Sequence, residues 1–219
     1  MSIVEGSREE VRAAALEATA KGADLIEIRL DWLEDLTKES VVDLFKDLSD
    51  IKLPKIATIM DRTLFGRFCG SDLEKADLLL EATKCADYVD LGLDMGEPAR
   101  AICMEELGDK GRVILSWHSD RLLPKDEILS VVRNHRDVIS KIVMPANSLQ
   151  DNLTALGACA SLDGFKRIVF CYGKAGCISR VLSPFFGSEW AYASLAKGKE
   201  AAPGQLDIQS LRAIQEAFE

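Results

Sequence analysis

Histidine is nearly absent from this chain: His118 and His135 are the only two in 219 residues. The six cysteines, at 69, 85, 103, 159, 171 and 177, include no C-x-x-C pair. These two shortages argue against a zinc centre, which needs paired cysteines or Cys/His clusters at short spacing. Disulfide scaffolds are shorter and secreted, so the thiols read as reduced, cytoplasmic cysteines filling small core positions. Positive charge is also in deficit. Lys plus Arg number 27 against 36 Asp plus Glu, a formal net charge of -9. That leaves no basic footprint for nucleic acid or for an anionic membrane surface. No apolar run approaches the ~20 residues of a membrane span. The opening MSIVEGSREEV lacks the basic stretch and apolar core of a secretory signal. No G-x-G-x-x-G follows the first strand-like segment, which weakens a dinucleotide-binding reading.

What is present is an alternation. Apolar runs stand at 25–30, 55–60, 88–93, 112–117, 140–144 and 167–172. Between them lie charged segments of helical period at 8–21, 38–49, 72–84, 98–108, 125–135 and 147–160, with caps such as Thr37, Ser71 and Asn147. Strand–helix alternation predicts parallel strands joined by helical crossovers. A short strand at Ser2–Glu5, another near Trp190–Ser194 and a last helix over 208–218 bring the count to eight units. That count predicts an α/β chain forming a (β/α)8 TIM barrel as a single domain over 1–219, close to the lower size bound of such barrels. The competing architecture is an open, doubly wound sheet of six strands.

One strand is unusual. In Leu25–Asp31 the apolar positions Ile26, Ile28 and Leu30 alternate with the charged Glu27, Arg29 and Asp31. Successive strand residues point to opposite faces, and a helix-covered parallel sheet is normally apolar on both. The charged face therefore either lines a polar barrel interior or is the solvated side of an edge strand.

The chemistry-bearing residues fall at strand ends. His118 follows RVILSW, at the carboxyl end of a strand, where barrels carry catalysis. Imidazole is suited to proton transfer near neutral pH. The alternative is a hydrogen-bonded structural histidine. His135, in RNHRD, reads as a solvated residue at a helix end. Lys141 lies inside the apolar run DVISKIVMPA. A buried lysine has a lowered pKa and presents a neutral amine able to attack a carbonyl. The alternative is a strand-start lysine with its head in water. Arg180 lies one turn beyond the glycine-bearing turn of CYGKAGCISR, and its fork suits a carboxylate or phosphate. Gln205 sits in the Pro-Gly loop of AAPGQLDI and offers both donor and acceptor.

In their order along the chain, EIRLD (27–31), SWH (116–118), SKIV (140–143), G-x-x-G-x-x-SR (173–180), FGS (186–188) and APGQ (202–205) resemble the type I 3-dehydroquinate dehydratases, and the short length resembles the compact archaeal members. The resemblance implies a (β/α)8 barrel, a homodimer, and elimination of water from the small-molecule substrate 3-dehydroquinate to give 3-dehydroshikimate in the shikimate pathway. It implies no metal and no cofactor. It places Lys141 as the Schiff-base lysine and His118 as the proton-shuttling histidine. Glu27 and Arg29 stand as contacts to substrate hydroxyl and carboxylate groups, Arg180 as the carboxylate-holding arginine and Gln205 as the glutamine of the closing loop. The chain also departs from the pattern. The family's T-x-R-x-x-x-E-G-G, aligned on Thr58, puts Met60 at its arginine and Leu64 at its histidine-orienting glutamate, and Arg62 and Arg67 are both open as replacements for the arginine. Gly92 stands where a second acidic residue is common, and Ala201 where serine is. Two other readings stay open: a Schiff-base aldolase or transaldolase acting on a sugar phosphate, and a catalytically inactive binding homologue.

Overall fold

The computed structural model describes residues 1–108 and 110–218, which divide into two compact units, Met1–Val113 and Ile114–Glu219. The first holds β1 (Ser2–Ile3), α1 (Arg8–Ala20), β2 (Ile26–Arg29), α2 (Lys38–Asp47), β3 (Lys55–Thr58), α3 (Asp72–Thr83), β4 (Tyr88–Gly92) and α4 (Glu97–Leu107). Three of its helices begin in reciprocal capping boxes, Ser7 with Glu10, Thr37 with Ser40 and Ser71 with Glu74. Each box satisfies amides that the first turn leaves without partners. Thr37 and Ser71 thus cap as their residue types predict.

The second unit holds β5 (Val113–His118, counted with the strand's greater part), α5 (Lys125–Asn134), β6 (Ile139–Pro145), α6 (Asp151–Ala160), β7 (Arg167–Tyr172), α7 (Cys177–Leu182) and α8 (Ile208–Glu216). Three expectations are corrected here. Asn147 does not cap α6. The amides of Asn147 and Ser148 donate to the Asp151 carboxylate at 2.7 and 3.0 Å, so 147–150 folds back on the helix start and the helix begins four residues later. The eighth strand does not form among the described residues. Ser194 makes an isolated bridge to Asp207, its amide donating to Leu206 O and its carbonyl accepting from Ile208 N. His135 is half-buried rather than solvated: its Nδ1 lies 2.8 Å from the Val131 carbonyl, which can only accept, so that nitrogen carries the proton.

All strand pairs within each unit are parallel, and neighbours follow chain order: β1-β2-β3-β4 in the first and β5-β6-β7 in the second. A doubly wound sheet would reverse its order at a switch point; neither unit does. Sequential winding is the barrel pattern. β2 is paired on both sides, by β1 and β3, so its charged face is not that of an edge strand.

The outward strand faces meet helices. In the second unit Ile142 and Met144 of β6, with Val169 and Cys171 of β7, pack with Ile128, Leu129 and Val132 of α5 and Ala155, Ala158 and Cys159 of α6. Alternation then turns Lys141, Val143 and Phe170 to the opposite face. At the amino end of β7, Arg167 donates to the carbonyls of Cys159, Phe165 and Phe186 at 3.0–3.2 Å. Arg167→Met is expected to cost about 3 kcal/mol, because buried carbonyls lose their donors. Arg133→Met at an exposed position is expected to change stability by under ~0.5 kcal/mol. Urea denaturation of the two variants against the parent checks the difference.

All six cysteines are free. Burial pushes the thiols of Cys103 and Cys171 up to about 11. At pH 8 each is then thiolate only about 10⁻³ of the time, and neither is open to reagent. Iodoacetamide at that pH should label the exposed Cys69 and Cys85 while sparing Cys103 and Cys171 until the protein is unfolded. Peptide mass mapping reads the pattern.

Candidate active site

In the first unit the register places Ser2, Glu27 and Ile56 in one row across β1, β2 and β3, and Arg29, Thr58 and Asp90 in the next row across β2, β3 and β4. Five of these six are polar and all are buried. Ser2 Oγ donates to Glu27 Oε2 at 2.7 Å and Thr58 Oγ1 to Glu27 Oε1 at 3.2 Å. Glu27 is thereby fixed by its two strand neighbours.

Arg29 is held by Asp31, the residue two further on in the 3₁₀ turn Leu30–Trp32. Nε and Nη2 reach the two carboxylate oxygens at 2.8 Å each, a bidentate pairing. The same carboxylate accepts from the backbone amides of Met60 at 3.2 Å and Arg67 at 3.0 Å. Arg29 Nη2 also donates to Phe65 O at 3.3 Å. Four donors on one buried carboxylate tie the β2 cation to the loop after β3. That loop is further pinned by the ion pair of Asp61 with the buried Lys75 of α3. Arg62 and Arg67 are both exposed; the Arg67 guanidinium lies 3.6 Å over the Trp32 ring, beside this node, while Arg62 stands in the turn Arg62–Leu64. At the end of β4, where Gly92 offers no side chain, Asp94 Oδ1 occupies the space a Cβ would take.

In the second unit Lys141 is the third residue of β6 and only 4% exposed, so it is not a strand-start lysine with a solvated head. It pairs in register with Ser116 of β5 and Ile168 of β7; His118, Val143 and Phe170 form the next row. His118 and Lys141 therefore sit diagonally on one face of neighbouring strands, with backbones roughly 8 Å apart, within reach of two long side chains. His118 is half-buried at the carboxyl end of its strand. Lys141 Nζ lies 4.7 Å from the centroid of the Tyr192 ring. Tyr192 and Phe170 stand 6.1 Å apart at a 47° tilt, and the Arg180 guanidinium lies 4.5 Å over Phe170. A buried amine and a buried guanidinium thus flank an aromatic pair.

Arg180 reaches this position from α7 because the turn before it is clamped. The Asn152 side-chain amide of α6 donates to Ala175 O at 2.7 Å, and its oxygen accepts from Ser179 N at 2.9 Å. Gly176 allows the turn to close on β7, since a Cβ there would lie 2.6 Å from Cys171 and Tyr172 backbone atoms. The Gln205 loop rests on the same turn: Gly173 N donates to Pro203 O at 3.0 Å, and a Cβ on Gly204 would stand 2.2 Å from Gly173 O. Gln205 itself is buried and its Oε1 accepts from Ala201 N at 2.7 Å. The two segments read separately as turn and loop are one packed structure.

Within the first unit, then, Glu27 and Arg29 share one polar face. Within the second, Lys141 and His118 share one strand face, Lys141 and Arg180 flank Phe170 and Tyr192, and the Gln205 loop packs on the turn before Arg180. Sequence reasoning did not single out Tyr192, Phe170 or Asn152. Tyr192 lies in the weak eighth segment, Phe170 in an ordinary apolar run, and only the polarity of Asn152 within a helix pattern hinted at its role. Asp31 was visible as a charged strand residue but not as the acceptor for a loop.

Parallel strands in chain order within each unit, joined by helices, put the chain in the α/β class to which the (β/α)8 barrels belong. The comparisons with known proteins name it. The profile of the type I 3-dehydroquinases matches residues 1–218, and the chain belongs to that family. It is 33% identical over 215 residues to the 3-dehydroquinate dehydratase of Methanothermobacter thermautotrophicus, covering 96% of this chain and 92% of the relative. It is 31% identical over 219 residues to that of Methanocaldococcus jannaschii, covering 98% and 96%. Among solved structures, the type I 3-dehydroquinate dehydratase of Clostridium difficile superposes with a TM-score of 0.88 at 22% identity, over 99% of this chain and 90% of that one. The Aquifex aeolicus enzyme gives 0.77 at 28%, over 94% and 93%. The fold class is that of the TIM barrels. As a member of this family the chain is a hydro-lyase of the shikimate pathway that removes water from 3-dehydroquinate, not a sugar-phosphate aldolase.

The Asp31 node gives a test of the site's frame. Asp31→Ala leaves a buried guanidinium without its counter-ion and two loop amides without an acceptor, and is expected to cost about 3–5 kcal/mol. Urea denaturation measures it, and limited proteolysis should cut the 59–68 loop of the variant first. A loss under about 1 kcal/mol would show that the node does not hold the loop.

Proposed function

We propose that Lys141 forms the Schiff base with 3-dehydroquinate and that His118 moves the protons of the elimination. The observation that carries this reading is the amine itself: 4% exposed, mid-strand, turned away from the helical core and diagonal to the one histidine at a strand end. The nitrogen lone pair of Lys141 adds to the ketone carbon while the carbonyl π pair moves to oxygen. That oxygen takes protons and leaves as water, and the product is a cationic iminium. The iminium withdraws electrons from the neighbouring carbon, which makes its proton removable. His118 takes that proton, the C–H pair becomes the enamine double bond, and the C=N pair moves to nitrogen. The enamine then expels the β-hydroxyl, protonated by the same imidazole, and water releases the conjugated ketone from Lys141. Each proton transfer by a positioned group contributes roughly 10²–10⁴ in rate.

Arg180 is assigned to the substrate carboxylate, with Gln205 on the loop that packs against its turn. Glu27 and Arg29 are assigned to substrate hydroxyl and carboxylate groups. Arg67 rather than Arg62 is assigned the place of the missing third-strand arginine, supported by its stacking on Trp32 beside the Asp31 node. The reaction so drawn uses only side chains of this chain, with no metal or cofactor. We further propose one barrel domain over 1–219 and a cytoplasmic protein whose free thiols stay reduced. A homodimer is supported by the exposed Leu149 and Leu153 with Ile178 of the adjacent α7. Among the described residues no helix is long and apolar enough to cross a membrane.

Sodium borohydride reduction with 3-dehydroquinate, followed by peptide mapping, should place a stable adduct on Lys141 and none in Lys141→Ala. His118→Ala should still be trapped but turn over at least ~10²-fold more slowly. Arg180→Ala should raise KM by at least ~10-fold, since a bound carboxylate would lose its charge partner. Unchanged turnover in His118→Ala would remove the assigned base, and a parent protein with no turnover at all would make the chain a binding homologue.

A further inference from the structure

We infer that the face of Tyr192 is a charge-stabilising group for the iminium on Lys141, an aromatic ligand to the positive charge that the reaction creates. The inference rests on the assignment of Lys141 as the Schiff-base residue. It comes from three contacts that meet on one aromatic pair. Lys141 Nζ is 4.7 Å from the Tyr192 ring centroid, within the ~6 Å range of a cation–π contact. Tyr192 leans on Phe170 at 6.1 Å, and Phe170 carries Arg180 on its own face at 4.5 Å. Lys141, Tyr192, Phe170 and Arg180 are all buried, so these contacts act with little solvent screening.

The charge accounting gives the ring a direction of effect. The attacking form of Lys141 is the neutral amine, which gains little from a ring quadrupole. Amine, ketone and one proton give iminium and water, and the iminium nitrogen keeps one hydrogen and one positive charge. The electron-rich face is therefore better matched to the product of imine formation than to its reactant, which is the differential that accelerates a step. Phe170 has a separate task. It keeps Tyr192 tilted toward the amine and spaces the guanidinium of Arg180 away from the iminium, so that two like charges share one aromatic wall rather than one contact.

The test varies the ring's electrons while keeping its shape. Tyr192→Phe retains the face and should keep most of the parent turnover. Tyr192→Leu, which fills the site without a quadrupole, should lower kcat by roughly tenfold with little change in KM. Mono-, di- and trifluorophenylalanine installed at 192 should lower kcat and the borohydride-trapped fraction stepwise, in proportion to the loss of cation affinity. Circular dichroism and thermal melts accompany each variant, and the fluorinated series decides the matter even where Tyr192→Leu fails to fold. A series in which all fluorinated rings match Tyr192→Phe would reduce Tyr192 to packing and overturn the inference. A turnover loss in Tyr192→Phe as large as in Tyr192→Leu would assign the effect to the hydroxyl and overturn it equally. Absence of any adduct on Lys141 in the parent would instead overturn the Schiff-base assignment on which it rests.

Discussion

A primary amine held in the middle of a buried strand is the constraint around which the second unit is arranged. A charged group taken out of water is costly unless its surroundings answer it. Here an aromatic face meets it: Lys141 lies over Tyr192, and Tyr192 is braced by Phe170. A ring face tolerates either protonation state and favours the cation only modestly. Under the proposed mechanism, in which this nitrogen is neutral before the reaction and positive during it, such a face accommodates both states.

The first unit solves a different problem with different chemistry. Its polar strand face carries Glu27 and Arg29, and each is locked by neighbours chosen for hydrogen bonding: Ser2 and Thr58 for the carboxylate, Asp31 for the guanidinium. Asp31 adds a second function by accepting two amides of the loop after β3. In this chain that loop has Met60 and Leu64 where the family's pattern has arginine and glutamate. The loop is held by the Asp31 node, the Asp61–Lys75 ion pair and the stacking of Arg67 on Trp32.

Stability and chemistry are separated along the strands. Lys55 and Arg167, at the amino ends of β3 and β7, spend their donors on nearby carbonyls. His118 stands at a carboxyl end, and Lys141 lies within its strand on the face away from the helical core. In (β/α)8 barrels the carboxyl ends of the strands carry the reaction and the amino ends contribute stability. Two lysines on strands of one chain differ in their surroundings: Lys55 donates to two carbonyls, and Lys141 faces an aromatic ring.

The order of strands and helices, the helix starts at Thr37 and Ser71, the charged face of β2 and the placement of Lys141 within a strand and His118 at a strand's end were all legible in the residues, because periodicity and capping are local physics. The start of α6 and the missing eighth strand were not. In each case a side chain or a single bridge, Asp151 or the Ser194–Asp207 pair, overrode what the local pattern favoured. The partners of the functional groups lay further out of reach. Tyr192 on Lys141, Phe170 under Arg180, and Asp31 on the loop at 60–67 are contacts between residues far apart in the chain or across a change of element. No spacing rule encodes them; only packing in three dimensions brings a given ring or carboxylate to a given cation.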